Sequence, residues 1–219
     1  MNTKLLLLTG LATGIALQLC PTALAAPITY TGSASPDVVI PDNNLSGVAS
    51  TIVVPSDGFS EITTVTLTLN IIGDPTAYNG DYYAYLQNSS GLLMLMSNID
   101  NPPAIPYGST GNGINVTLAD GNPNIGTAPY GVNAPLTGTY APQGGSLDAT
   151  FGGNISPEGD WTLFIADTSP GGVGELANWS LTVNGVPDNG STMMLLGMGV
   201  GFLGLCSLRQ FRTAPVSRD

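Results

Sequence analysis

Val65, Leu67, Leu69 and Ile71 alternate without a break with Thr64, Thr66, Thr68 and Asn70. A period of two puts every apolar side chain on one side of an extended chain and every hydroxyl or amide on the other. The segment therefore predicts a half-buried strand with β-branched threonines toward solvent. The pattern recurs. Tyr82, Ala84 and Leu86 alternate with Tyr83 and Tyr85, and Trp161, Leu163 and Ile165 with Thr162 and Phe164; Leu181 and Val183 follow Trp179 in the same phase. Shorter strands are predicted at Val38 to Ile40, Ala49 to Val54, Leu92 to Met96 and Ile114 to Leu118. Turn sequences such as Asn79-Gly80, Ser90-Gly91, Asp120-Gly121 and Pro170-Gly171-Gly172 separate them. No helical periodicity interrupts the series. About eight strands at this spacing predict an all-β fold, a β-sandwich or jelly roll. The Pro-, Gly- and Asn-rich stretches from Pro102 to Gly113 and from Gly121 to Pro135 predict long surface loops.

Charge is confined to one sign. Between Pro27 and Leu208 the chain has 11 Asp and 3 Glu but no Lys, Arg or His. Such a surface cannot neutralise phosphates, which excludes nucleic-acid binding. Its carboxylates have no cationic side chain to pair with. They must be solvated, take hydrogen bonds from backbone N–H groups, or bind metal ions.

The same composition limits the chemistry. Both cysteines, Cys20 and Cys206, lie in the terminal segments, so the body of the chain has neither thiol nor disulfide. Without His, Lys or Cys there is no Ser-His-Asp triad and no Cys-His or Ser-Lys variant. Zinc sites of the usual kind are absent too. Paired carboxylates hydrolyse glycosidic bonds, and Glu158, Asp160, Asp167 and Glu175 are candidates by type, but nothing in the sequence pairs them. The chain reads as no enzyme. A calcium ion takes six to eight oxygens from carboxylates, carbonyls and water. Asp81, Asp167 and Glu175 lie beside Gly-rich turns and are the candidate ligands, with Ca²⁺ the one cofactor considered. Trp161 and Trp179, on two adjacent C-terminal strands, are expected to dominate the core rather than to form a sugar-stacking platform. Tyr78, Tyr83, Tyr85, Tyr107 and Tyr130 are the candidate aromatic contacts for carbohydrate.

Both ends read as targeting segments. Met1 to Ala25 has Lys4, an apolar stretch from Leu5 to Leu19 and the sequence Ala23-Leu24-Ala25, the layout of a secretory signal peptide. Residues 26–185 form the expected domain. Val186-Pro187-Asp188-Asn189-Gly190-Ser191 then precedes an apolar run of 16 residues from Met193 to Leu208, followed by Arg209 and Arg212. As a helix that run spans about 24 Å against a hydrocarbon core of about 30 Å. The arginines would hold its C-terminal side in the cytoplasm, with 213–219 as a short cytoplasmic tail.

The segment 186–212 resembles the VPDSG-CTERM sorting signal, a relative of PEP-CTERM, and departs from it at Asn189, where that family has Ser or Thr. The resemblance implies an exosortase-type processing enzyme as a partner, at least transient contact with the membrane, and export through the inner membrane. The destination would be the cell surface, the outer membrane or the extracellular matrix. A second resemblance covers 40–183. Gly138-Thr139-Tyr140-Ala141-Pro142, Leu147, Phe151-Gly152-Gly153, Gly159-Asp160-Trp161-Thr162-Leu163, Asp167 and Gly174-Glu175-Leu176-Ala177-Asn178-Trp179-Ser180-Leu181 are similar to the P/Homo B domain, the jelly roll that follows the catalytic domain of proprotein convertases. It implies a jelly-roll β-sandwich of about eight strands and a non-catalytic role. That role would be structural or adhesive toward matrix polysaccharide or surface proteins, calcium- or carbohydrate-binding, or accessory to a separate subtilisin-like protease.

Overall fold

The computed structural model describes residues 28–32, 38–56, 59–74, 77–99, 110–128, 134–153 and 155–187. The two terminal segments, Asp188 to Ser191 of the sorting motif, Arg209, Arg212, Tyr107 and Tyr130 lie outside them. Among the described residues no helix is long and apolar enough to cross a membrane.

Ten strands make two packed sheets. Strands β1 (Ile28–Gly32), β2 (Val38–Ile40), β4 (Phe59–Gly73), β7 (Gly113–Leu118), β8 (Leu136–Tyr140) and β10 (Gly174–Pro187) form sheet A, in the order β1-β10-β4-β7-β8 with β2 also on β10. Sheet B is β3 (Asn44–Val54), β9 (Gly159–Asp167), β5 (Tyr82–Gln87) and β6 (Leu92–Ser97), in the order β3-β9-β5-β6. All pairings are antiparallel except that of β7 with β8. The all-β sandwich is as the alternation predicts. All eight predicted segments are strands, and β1 and β8 are added at the margins of sheet A.

Alternation decides the inner faces. On β4, Val65, Leu67, Leu69 and Ile71 are buried while Thr66, Thr68 and Asn70 are half-exposed. On β5, Tyr82, Ala84 and Leu86 point inward, and on β9, Trp161, Leu163 and Ile165 do so. Trp161 and Trp179 are both fully buried, but the strands that carry them are neighbours only in sequence. β9 belongs to sheet B and β10 to sheet A. The chain crosses the sandwich between them, because the Thr168–Val173 loop is long enough to change sheets. Each indole N–H finds an acceptor. Trp161 Nε1 donates to the Pro157 carbonyl at 2.8 Å, and Trp179 Nε1 donates to Ser50 Oγ on β3 at 2.9 Å, a tie from one sheet to the other. Phe151 packs on Trp161 with ring centroids 5.1 Å apart.

Phe151 ends a short helix, α1 (Leu147–Phe151), that the sequence reading did not predict. Five residues are too few to display a helical period. Ser146 caps the helix by accepting the Ala149 N–H, and Leu147 and Phe151, four residues apart, both face the core. Asp148 accepts the Val65 N–H at 2.7 Å, and Ile62 and Gly153 exchange backbone hydrogen bonds. This segment thus continues the ladder along β4 where β7, whose pairing begins at Leu67, has ended. Of the predicted loop from Gly121 to Pro135, the described part Gly121–Ala128 is partly built into the core. Ile125 is fully buried, and Asn124 holds the turn by accepting from Gly126 N and donating to the Pro142 carbonyl.

The indole bridge gives a test. Ser50→Ala leaves a buried N–H without an acceptor and should cost about 1–3 kcal/mol in denaturant unfolding. In Trp179→Phe, which has no N–H, the same Ser50 change should cost close to nothing.

Candidate functional site at the acidic end of the sandwich

Three connections meet at one end of the two sheets: the turn before β3, the segment from Asp74 to Asp81 before β5, and the Thr168–Val173 loop. The first brings Asp42 and the second Asp74 and Asp81, while Asp167 ends β9 where the third begins; with no cation available the carboxylates take backbone N–H groups. Asp42 Oδ1 accepts from Gly171 N at 2.9 Å, Asp74 Oδ2 from Val173 N at 3.4 Å, and Asp167 Oδ1 from Ser169 N at 3.1 Å. The Asp81 carbonyl receives both the N–H and the hydroxyl of Thr168, each at 2.8 Å. The loop between β9 and β10 is therefore pinned by the carboxylates of Asp42 and Asp74 and by the main-chain carbonyl of Asp81.

Two of these acids are buried. Asp81 is 2% exposed and Asp167 1%. Asp167 ends β9 in register with Tyr82 on β5 and Asn44 on β3, so it sits in the interior of sheet B. Burial pushes the Asp81 carboxyl up to about 6, reinforced by the charges of Asp167 and Asp42 and opposed by a hydrogen bond from Ser169. Burial also pushes Asp167 up, against hydrogen bonds from the Ser169 and Asn43 backbone and with the charge of Asp42 adding to the rise. Burial and then the charges of Asp167, Asp81 and Asp74 raise the phenol of Tyr82. Its hydroxyl is buried without a partner, and its ring packs against Gly174 so closely that a Cβ there would collide with the oxygen.

The structure brings Asp81 and Asp167 together and leaves Glu175 apart. Glu175 lies half-buried on β10, out of phase with buried Gly174 and Leu176, on the outer side of sheet A. Asp42, which the sequence reading did not single out as a ligand, joins the pair instead. Its separation from both partners in sequence hides it, although Asp-Asn before a strand is a turn signal. Among the described residues no three acids, cysteines or histidines are grouped tightly enough to hold a metal ion by side chains alone.

Glu158 and Asp160 are exposed at the opposite end of β9. Asp160 is seven strand residues from Asp167, about 23 Å at 3.3 Å per residue. That exceeds the separation of either glycosidase geometry, at most about 9.5 Å. Asp81 and Asp167 are close but too buried to meet a substrate. Among the aromatic candidates, Tyr83 and Tyr85 lie half-exposed on the outer face of sheet B. Tyr85 stacks on Phe164 at 4.8 Å and 17°, and Tyr83 meets Tyr85 edge-on at 6.2 Å. Tyr78 is 37% exposed. The arrangement is suited to holding and to proton or cation uptake at the buried pair.

Comparison of the chain with protein-family models, with curated proteins and with solved structures found no match.

A raised carboxyl reverses the usual pH dependence. The folded state takes up the Asp81 proton at about 6, while the unfolded chain takes it up near 4. The contribution of this group is therefore fully favourable below about 4 and is lost as pH rises through 6. In chelator-treated protein, Asp81→Asn should raise the Tm at pH 7 by about 2–4 °C, the shift that about 1 kcal/mol produces in a domain of this size. The difference from the native chain should vanish by pH 4.

Proposed function

We propose that this chain is an exported, non-catalytic β-sandwich module that acts by binding or scaffolding at the cell surface or in the extracellular matrix. One observation carries the reading: from Pro27 to Gly185 the chain has no His, Lys, Arg or Cys, so the histidine-, lysine- and cysteine-based nucleophile systems have no residues to build them. Among the described residues the paired acids Asp81 and Asp167 are shielded from substrate.

The orders β2-β10-β4-β7 and β3-β9-β5-β6 support placing the sandwich in the jelly-roll class, in which two four-stranded sheets are wound by Greek-key connections. The similarity of 40–183 to the P/Homo B domain supports the same class and a role without catalysis. The similarity of 186–212 to a VPDSG-CTERM signal supports export and C-terminal processing by an exosortase-type enzyme. Cells expressing the chain should yield a processed form that starts at Ala26, lacks Met193 to Leu208 and fractionates outside the inner membrane. The purified protein should hydrolyse neither peptide nor glycoside substrates; turnover abolished by Asp81→Asn or Asp167→Asn would end this reading.

A second reading has the acidic end take up calcium. It is favoured by the two neighbouring buried carboxylates in a domain without a cation. Asp81 and Asp167 would supply the charge and main-chain carbonyls the remaining oxygens, and the bound ion would lock the Thr168–Val173 loop. Millimolar calcium at pH 7 should then raise the Tm of the native chain and leave that of Asp167→Asn unchanged. Equal shifts in both, or none in either, would remove this second reading.

A further inference from the structure

The outer face of sheet A breaks its own pattern at one row. Along β4 the outward positions run Thr64, Thr66, Thr68 and Asn70, and the next is Ile72. On β2 the run Val38-Val39-Ile40 is apolar throughout, so its middle residue turns outward. The β10 residue in register with both strands is Glu175, with Val39 on one side and Ile72 on the other. Residues paired this way hold their Cβ atoms about 4.5–5.5 Å apart, so the carboxylate rises between two aliphatic side chains. Val39 is 50% exposed and Ile72 52%. Among the described residues the other exposed aliphatics on strands, Leu45, Val53 and Leu92, belong to sheet B.

The surface continues beyond the end of the strands. Asp74 N donates to the Val173 carbonyl at 3.2 Å, and Val173 N to Asp74 Oδ2 at 3.4 Å. Both residues are exposed, so a second acid and a third aliphatic stand two positions along from Glu175 and Ile72. Single exposed apolar side chains need no explanation, but a group of them rimmed by polar residues marks an interaction surface.

The missing element is a cation. A lysine or arginine ordinarily covers such a row by laying its methylene stem on the aliphatics and its head on the acid, but from Pro27 to Leu208 the chain has neither. Asp42 and Asp74 accept backbone N–H groups, whereas no described residue donates to the Glu175 carboxylate. A second copy of this chain or an anionic polymer has the wrong sign, and a wholly apolar partner would bury Glu175 unpaired. Glu175 is half-buried, so salt screens its attraction less than that of an open acid.

We propose that the row Val39, Glu175 and Ile72 is a docking site for a basic segment of a partner protein. One lysine or arginine stem lies across the two aliphatics with its head at Glu175, and a second basic side chain covers Val173 and Asp74. The two positions are two strand residues apart, about 6.6 Å, which is the spacing of alternate side chains on an extended segment. The site gives the binding role proposed above a partner chemistry. It needs neither the calcium nor the export reading.

The test follows the anisotropy of a fluorescent peptide of alternating lysine and threonine on the full chain, in mild non-ionic detergent and chelator. Glu175→Gln should weaken binding about fivefold, and Ile72→Thr or Val39→Thr about threefold, the scale of one ion pair and of lost stem packing. Asp160→Asn, at an exposed acid of the opposite end, should leave binding unchanged. All four positions are on the surface and the new residues suit a strand, so unchanged Tm values will show that the fold is kept. Equal losses in Glu175→Gln and Asp160→Asn would reveal attraction to the acidic body as a whole and overturn the proposal. Indifference to both threonine variants, equal binding of a peptide of alternating valine and threonine, or no binding by the native chain would also overturn it. The non-catalytic reading, which hydrolysis assays decide, would survive each of these.

Discussion

The structure depends on how a domain with negative charge and no positive charge settles its carboxylates. Ion pairs are unavailable, so the acids turn to the backbone. Asp120 is the clearest case. It accepts from Leu147 N at 3.0 Å, Asp148 N at 2.8 Å and the Ser146 hydroxyl at 2.6 Å. Burial alone would push this carboxyl up, but these hydrogen bonds outweigh it and leave the group below its ordinary value. A carboxylate that receives several N–H bonds needs no counter-ion. Asp42, Asp74 and Asp148 each accept a backbone N–H, and Asp167 accepts from both Ser169 and Asn43, although at Asp148 and Asp167 burial outweighs these bonds and raises the carboxyl. In nearly every case the acid comes from one part of the chain and the N–H from another, so charge relief and loop anchoring are the same contact; for Asp167 this holds for Asn43, while its other donor, Ser169, is two residues away.

The rule fails at Asp81. It shares its surroundings with Asp167 and Asp42, and its hydrogen bond from Ser169 is opposed by burial and by both charges. A buried ionised acid without sufficient donors is unfavourable, and the group responds by holding its proton to about 6. The unpartnered hydroxyl of Tyr82 lies at the same end. A carboxyl raised by burial and an unpartnered hydroxyl thus sit together where three connections converge, while the opposite end of β9 keeps its acids in solvent. Natural folds depart from full polar satisfaction chiefly at sites that do something, and this concentration is why the acidic end stands out.

The lack of cations also governs the margins of the sheets. Edge strands elsewhere are kept apart by lysines; here backbone from Gln143–Gly144 and the ring of Tyr140 do that work on β6 and β8. At β3 the strands β1 and β2 of the other sheet come close instead.

Much of the architecture was readable in the chain alone, because burial on a sheet has a period of two. Thr64 to Ile71, Tyr82 to Leu86 and Trp161 to Ile165 each announce a strand and its inner face, and the one-sided charge announces that no ion pair holds the fold. The strands β1 and β8 were not readable: Leu136-Thr137-Gly138-Thr139-Tyr140 has a central glycine and two half-exposed ends, and it is a strand only because β7 lies beside it. Helix α1 was hidden by its length, and the burial of Ile125 by the turn-forming residues around it. Only the folded chain placed Trp161 and Trp179 in opposite sheets and set Asp42 beside Asp81 and Asp167 while turning Glu175 outward. Alternation is a local property that each segment carries by itself. Which acids meet depends on contacts between residues far apart in the chain, Asp42 with Asp81 and both with Asp167, and those exist only after the two sheets have closed on one another.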